Sequence, residues 1–222
     1  MKLRFVSIIV FAMMGANLAA ADDTWRPDIT VGPTFSTLGI GADVGVRLND
    51  YIGLRVGGNY LSFDFDVNTT DLNYTADLTL ASIGGTLDIY PFKRVLRLSA
   101  GFRYNGNSID FTATPNGSVT IGGTTFAAAD AGNVSGELDF NKFAPYLGVG
   151  LEGRFFDDKF ILGTEAGVLF QGRPRFDLRG DGALAGDPTF EASLRQEEAA
   201  VEDDLSFFRY YPVVAIYAML RF

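Results

Sequence analysis

The chain has 222 residues, no cysteine, no histidine and a formal net charge of −9. The acidic balance argues against a nucleic-acid partner. Without cysteine there is no disulfide framework, and without histidine there is no Ser–His or Asp–His catalytic pair and no zinc site built from His and Cys.

Residues 1–21 read as a secretory signal. Lys2 and Arg4 give a positive start, Phe5 to Gly15 is an apolar run with one serine, and Ala19-Ala20-Ala21 offers a cleavage site before Asp22 and Asp23. The run is too short to span a bilayer as a helix. Residues 22–222 then form one domain. Beyond the signal no apolar stretch of about 18 residues occurs, and alternation takes its place. Ile29, Val31, Pro33 and Phe35 begin it. After Ser36-Thr37 the run Leu38–Leu48 continues it, with Gly39, Gly41, Asp43, Gly45 and Arg47 between the apolar positions. Ile52, Leu54, Val56 and Tyr60 follow the turn at Asn49-Asp50. Near Tyr60 the phase slips, so that Phe63 and Phe65 become the apolar positions, and a bulge is expected there. Tyr74, Ala76, Leu78 and Leu80 open a fourth strand, whose phase slips again before Ile83, Leu87 and Ile89. Leu96–Tyr104, Phe143–Leu151, Phe160–Phe170 and Pro212–Phe222 mark the other four.

Each strand suits a tilted membrane crossing of about 9–11 residues. Connections are tight at Asn49-Asp50, Pro91–Arg94 and Phe156–Lys159, and longer at Val67–Asn73, Thr114–Gly136 and Gly180–Leu205. That alternation sets periplasmic turns against external loops. Tyr51, Tyr90, Phe92, Phe155, Phe156, Phe160 and Phe222 collect at the tight-turn end, as an aromatic girdle does. Phe190, Leu194, Val201, Leu205 and Phe208, with acids between them, mark an amphipathic helix over 188–208 that starts at Asp187-Pro188. It is expected across the barrel mouth or on its rim. The fold class is therefore all-β: a single antiparallel transmembrane β-barrel of about eight strands, with one short amphipathic helix before the last strand.

Strand parity turns Asp43, Arg47, Arg55, Asp88, Arg97, Arg103, Glu152, Arg154 and Glu165 into the barrel, with Arg221 near the periplasmic rim. Arginine forks and carboxylates at such positions either interlock and fill a small lumen or line a narrow path that favours anions. Gly148–Gly153 matches a dinucleotide fingerprint by letter but lies inside an alternating strand, where glycines make room instead. Asp64, Asp66, Asn68 and Asp71 resemble the start of a calcium loop, with Thr69 and Thr75 in place of its glycine and closing Glu. No catalytic, cofactor-binding or metal-binding set is expected.

The segment Asn141–Gly150, with its Pro-Tyr-x-Gly-x-Gly strand, resembles small Gram-negative outer-membrane barrels: the OmpW-like and opacity-porin-like families and the barrel half of OmpA-type proteins. The ending Tyr217-Ala218-Met219-Leu220-Arg221-Phe222 is similar to the C-terminal signal read by the barrel-assembly machinery, with Tyr217, Leu220 and Phe222 as its marks. The resemblance implies an integral outer-membrane protein exported through a cleaved signal. Its partners would be outer-membrane lipid and lipopolysaccharide, with periplasmic chaperones and the assembly machinery during biogenesis, and it would be a monomer. With Phe222 as the ending, no peptidoglycan-binding domain is expected. A structural or envelope-integrity role is the first expectation. A narrow channel or carrier for small solutes is the second, and a surface adhesin using the long loops the third.

Overall fold

The computed structural model describes residues 28–68, 72–93 and 95–222, so the signal expected at 1–21 lies outside the described residues. In chain order the strands are β1 (Asp28–Ser36), β2 (Gly39–Arg47), β3 (Ile52–Asn68), β4 (Leu72–Ile89), β5 (Leu96–Asn105), β6 (Ser108–Pro115), β7 (Ser118–Ile121), β8 (Thr124–Ala127), β9 (Val134–Asp139), β10 (Phe143–Phe155), β11 (Phe160–Phe170), β12 (Arg175–Gly180) and β13 (Tyr210–Arg221). A short helix α1 (Ala128–Ala131) precedes β9, and α2 (Pro188–Asp204) with a 3-10 turn at Ser206–Arg209 precedes β13. Eight strands close an antiparallel barrel in the order β1-β2-β3-β4-β5-β10-β11-β13, with β13 returning to β1.

The bulge expected near Tyr60 is absent. β3 and β4 hold one register from Ile52↔Ile89 through Asp64↔Asp77. What changes along the hairpin is its surroundings. On the outward face Ile52, Leu54, Val56 and Tyr60 are exposed apolar groups, and further along the same face come Ser62, Asp64 and Asp66. On the inward face Arg55 and Asn59 give way to Leu61, Phe63 and Phe65. The hairpin leaves an apolar surround for water, so the side that must be apolar switches while the pleat continues.

The other strands show the same lower band. Leu98, Phe102, Leu147, Val149, Leu151, Leu162, Val214 and Ile216 are all exposed, an outer belt that fits hydrocarbon. At the tight-turn end Tyr51, Phe92, Phe155, Phe156 and Phe222 are exposed as a girdle requires. Tyr90 departs from that expectation. It is buried on the inner side, beneath the Arg47 guanidinium 3.9 Å from its ring centre.

Above the barrel the chain builds a second unit, here termed the cap. β6 continues along β4 beyond β5, and β9 and β12 add to it, giving a sheet ordered β12-β9-β6-β4-β3. The sequence pattern assigns no strand to these stretches, which lie beside or at the edges of the connections expected at Thr114–Gly136 and Gly180–Leu205. Their apolar residues (Ile109, Phe111, Val134, Leu138, Phe176, Leu178) lie on the face that continues the lumen side, so they do not extend the lipid-facing pattern that marks the barrel strands. The face is covered by α2 and the β7–β8 hairpin, around a core that includes Ile121, Leu138, Phe176, Phe190 and Leu194. α2 starts as expected, with Asp187 Oδ1 accepting from the N–H groups of Thr189 and Phe190 and Pro188 in its first turn. It ends at Asp204 rather than 208, and it packs on β12 and the hairpin.

Candidate functional site: a locked lumen and an amide collar

The inner face of the barrel wall places four carboxylates around two arginines. Arg55 reaches Asp43 at 3.4 Å, Asp88 at 3.0 Å and Glu165 at 3.0 Å. Arg97 reaches Glu152 at 2.9 Å and also bonds Glu165, so Glu165 is shared by both guanidinium groups. Hydroxyl groups supply the remaining donors: Thr34 to Asp43 at 2.8 Å, Ser99 to Asp88 at 2.7 Å and Tyr146 to Glu165 at 2.6 Å. A buried carboxylate needs such saturation to stay in a low-dielectric site.

Two of the expected network residues, Arg103 and Arg47, take other roles, and Arg154 stays at the network's edge. Arg103 bonds the amide oxygen of Asn59 and the Ser82 hydroxyl and pairs with no carboxylate in the described structure. Arg47 donates to the backbone carbonyls of Asn49, Asp50 and Lys93, so it fastens two tight turns instead of joining the central cluster. Arg154 lies between Glu152 at 3.8 Å and Asp158 at 3.9 Å, toward the same end. Arg221 pairs with Asp28 there at 2.6 Å.

A count of charges alone misses the neutral members. Tyr217, marked in the sequence only as part of an ending signal, is buried. Its hydroxyl lies 3.3 Å from Glu152, and Arg97 sits 4.6 Å from its ring centre. Leu220 and Phe222 are exposed. Small residues make room for the rings, in line with the reading of the inner-face glycines. A Cβ on Gly148 would stand 2.5 Å from the Tyr146 hydroxyl, and one on Gly163 would stand 2.2 Å from the Tyr217 ring. Two small cavities remain, of about 40 Å³ toward the tight turns and about 20 Å³ toward the cap, each lined in part by Arg55. Spaces of that size hold water molecules, not solutes.

Where barrel meets cap, β5, β10 and β11 each lose ladder pairing before β6, β9 and β12 resume. Side-chain amides fill the gap. Asn105 donates to Gln171 Oε1 at 3.2 Å, Gln171 donates to the Phe208 carbonyl at 3.0 Å, and Asn107 Oδ1 accepts from the Ala81 N–H at 3.1 Å. Asn105, Asn107 and Gln171 are all buried, and this collar satisfies backbone that would otherwise be orphaned.

The cap's outward face carries a row of acids. Asp64, Asp77, Asp110, Glu137 and Asp177 stand directly opposite one another on β3, β4, β6, β9 and β12. Desolvation and then the hydrogen bond and charge of Asp64, with the charge of Asp110 behind them, hold the Asp77 carboxyl above its ordinary range. Asp181 moves the other way, because the Asn133 side chain and backbone donate to it. Of the calcium-like string, Asp64 and Asp66 lie on β3 and residue 71 lies outside the described residues. Among the described residues no three His, Cys, Asp or Glu side chains are grouped to hold a metal ion.

Sequence reasoning also misses what the helix acids do. Glu202 and Glu198 accept from the N–H groups of Phe176 and Leu178 at 3.0 and 2.7 Å, closing the free edge of β12. Glu197 does the same for Gly122 at 2.9 Å.

An eight-stranded antiparallel barrel with an apolar belt, a girdle at one end and a polar interior is the fold of small outer-membrane β-barrel proteins. Two solved structures agree in fold. The chain is similar to CarO2 of Acinetobacter baumannii, with a TM-score of 0.59 and 22% identity over 89% of this chain and 100% of that one. It is similar to CarO of the same organism, with a TM-score of 0.59 and 22% identity over 89% of this chain and 98% of that one. A major outer membrane protein from Thermus thermophilus matches at a TM-score of 0.45 and 16% identity, over 88% of this chain and 98% of that one. No family model and no curated protein matches the chain.

Proposed function

We propose that this protein has a structural, envelope-integrity role: a locked barrel in the outer membrane that anchors a folded cap on the cell surface. The observation that carries the reading is the lumen. Arg55 and Arg97 bind four carboxylates between them across the bore, and the spaces left on either side are about 40 and 20 Å³. A conducting path needs continuous water and weak, exchangeable contacts, and close buried ion pairs supply neither. The reading is non-enzymatic, because the carboxylates are turned to arginines and hydroxyls, away from any space of substrate size. The continuous apolar belt supports lipid and lipopolysaccharide contact around a monomer. The exposed Leu220 and Phe222 support recognition of β13 by the assembly machinery during biogenesis, with periplasmic chaperones before it. By strand parity the tight turns face the periplasm and the cap faces outward.

Conductance of the refolded protein in a planar bilayer tests this. A silent bilayer with correctly folded protein is the expected result. Steady unitary steps whose ion selectivity changes in Arg103→Glu would replace this reading with a narrow channel.

A further inference from the structure

The cap sheet has two edges, β12 and β3, and they differ. At β12 the carboxylates of Glu198 and Glu202 take the N–H groups of Phe176 and Leu178. At β3 the ladder with β2 stops at Ile40↔Tyr60, while the ladder with β4 runs on to Asn68↔Asn73. Beyond Tyr60, among the described residues, no strand lies on the side of β3 away from β4. The Ile52 carbonyl accepts from Leu48 on that side, and every second residue of an antiparallel strand repeats the direction. Ser62, Asp64 and Asp66 therefore turn both N–H and C=O to the open side. Ala81, opposite Tyr60, agrees: its N–H and carbonyl bond Asn107 and Gly106, away from β3.

The two faces of this edge are unlike. Phe63 and Phe65 are exposed on the lumen-side face, with ring centres 6.2 Å apart. Asp64 and Asp66 are exposed on the outward face, and Asp64 ends the row of acids formed with Asp77, Asp110, Glu137 and Asp177. The cations that the strands bring to that face, Arg175 and Arg179, stand on β12 at the far edge.

We propose that the β3 edge of the cap binds an extended segment of a partner protein in which basic residues alternate with apolar ones. The segment adds antiparallel along residues 62–66, in the place β2 would hold if it ran on. A basic side chain then falls opposite Asp64 and closes the acid row with the opposite sign, and its apolar neighbours fall opposite Phe63 and Phe65. A second copy of the same edge is disfavoured, because pairing would bring Asp64 and Asp66 of the two copies onto or beside each other. The site does not depend on whether the lumen conducts.

The test uses the full folded, isotope-labelled protein in lipid nanodiscs, titrated at low salt with the end-blocked peptides (Val-Lys)4 and (Val-Glu)4. Saturable binding of the lysine peptide is expected. The amides of Ser62, Asp64 and Asp66 should gain exchange protection, and those of Phe63 and Phe65, turned to β4, should not change. The glutamate peptide should bind about tenfold more weakly or less, and the pair Asp64→Lys and Asp66→Lys should reverse the order. N-methylation of the lysine backbone nitrogens keeps the charge and removes the ladder donors that face Asp64, so it should abolish binding. Binding that survives N-methylation would show charge attraction alone and overturn the proposal. No saturable binding, or equal affinity for the two peptides, would overturn it as well. Protection of the same amides that rises with protein concentration in the absence of peptide would give the edge to a second copy instead.

Discussion

Barrel and cap share β3 and β4, and the two faces of that hairpin exchange polarity between them. Below the collar, the outward side chains of β3 and β4 are Leu54, Val56, Ile83 and Leu87, and the inward ones include Arg55, Thr86 and Asp88. Above it, the outward row is Asp64 and Asp77, while Leu61 and Leu78 point inward. No residue is inserted to bring this about. The difference teaches that polarity along a strand reports what surrounds it, and the pleat only says which positions share a face.

Carboxylates separate the two regions most sharply. Glu165→Ala strands Arg55 and Arg97 in the lumen and should cost about 3–5 kcal/mol, as for other buried pairs broken on one side. Glu137→Ala on the cap removes one acid from between two others and should be neutral or slightly stabilising. Urea titration of the folded fraction, read by heat-modifiable gel migration, compares them, and equal losses would erase the distinction.

The outward face offers a second contrast. Val149→Arg puts a charge in the belt and should cost about 2–4 kcal/mol near the membrane midplane. Thr112→Arg, on the outward face of the cap, should stay within about 0.5 kcal/mol. The same titration reads both, and a large loss in Thr112→Arg would place the cap in lipid.

Removing Glu198 and Glu202 together, each to Ala, should open the β12 edge by about 1.5–3 kcal/mol per charged hydrogen bond, seen as faster amide exchange at Phe176 and Leu178. Exchange in β10 and β11 should not change, because the effect is confined to the cap.

The smallest effect concerns pH. The Asp77 carboxyl is raised in the folded protein, so folding favours its protonated form. Its stabilising state is fully present below the ordinary carboxylate range and is lost as pH rises through the raised value. Asp77→Asn should therefore slow cap exchange by a few tenths of a kcal/mol at neutral pH. It should make no difference once the medium is acid enough to protonate the native side chain. A gain that persisted in acid would point to packing instead.

The barrel is legible in the sequence because lipid imposes one rule on every crossing, and Leu147, Val149 and Leu151 obey it as plainly as Val214 and Ile216. The charge cluster is legible by parity for Asp43, Arg55, Asp88, Arg97, Glu152 and Glu165. It is not legible for Arg47 and Arg103, since parity gives the face but not the height at which a long side chain finds its partner. Tyr146, Tyr217 and Ser99 escape notice because neutral hydroxyl groups carry no signal in a count of charges. The cap strands go unread because β6, β9 and β12 are short, and their apolar faces are opposite to the lipid-facing ones.

The unbroken β3–β4 register also has a mechanical reading. A pull on the cap along the strand axes loads the hairpin's ladders with β2, from Ile40↔Tyr60 to Arg47↔Gly53, and with β5, from Ser82↔Asn105 to Ile89↔Leu98. Those bonds are strained in shear, so they resist together instead of parting one by one. On the opposite side the cap meets the barrel through 140–142 and 171–174, which lie outside the strand ladders and keep only isolated backbone bonds, such as Asn141 N–H to the Gln171 carbonyl at 3.0 Å, so they bend under less force. The cap stands on a stiff mast at β3–β4 and a compliant joint at β10–β11, so tension tilts it toward the mast before it lifts.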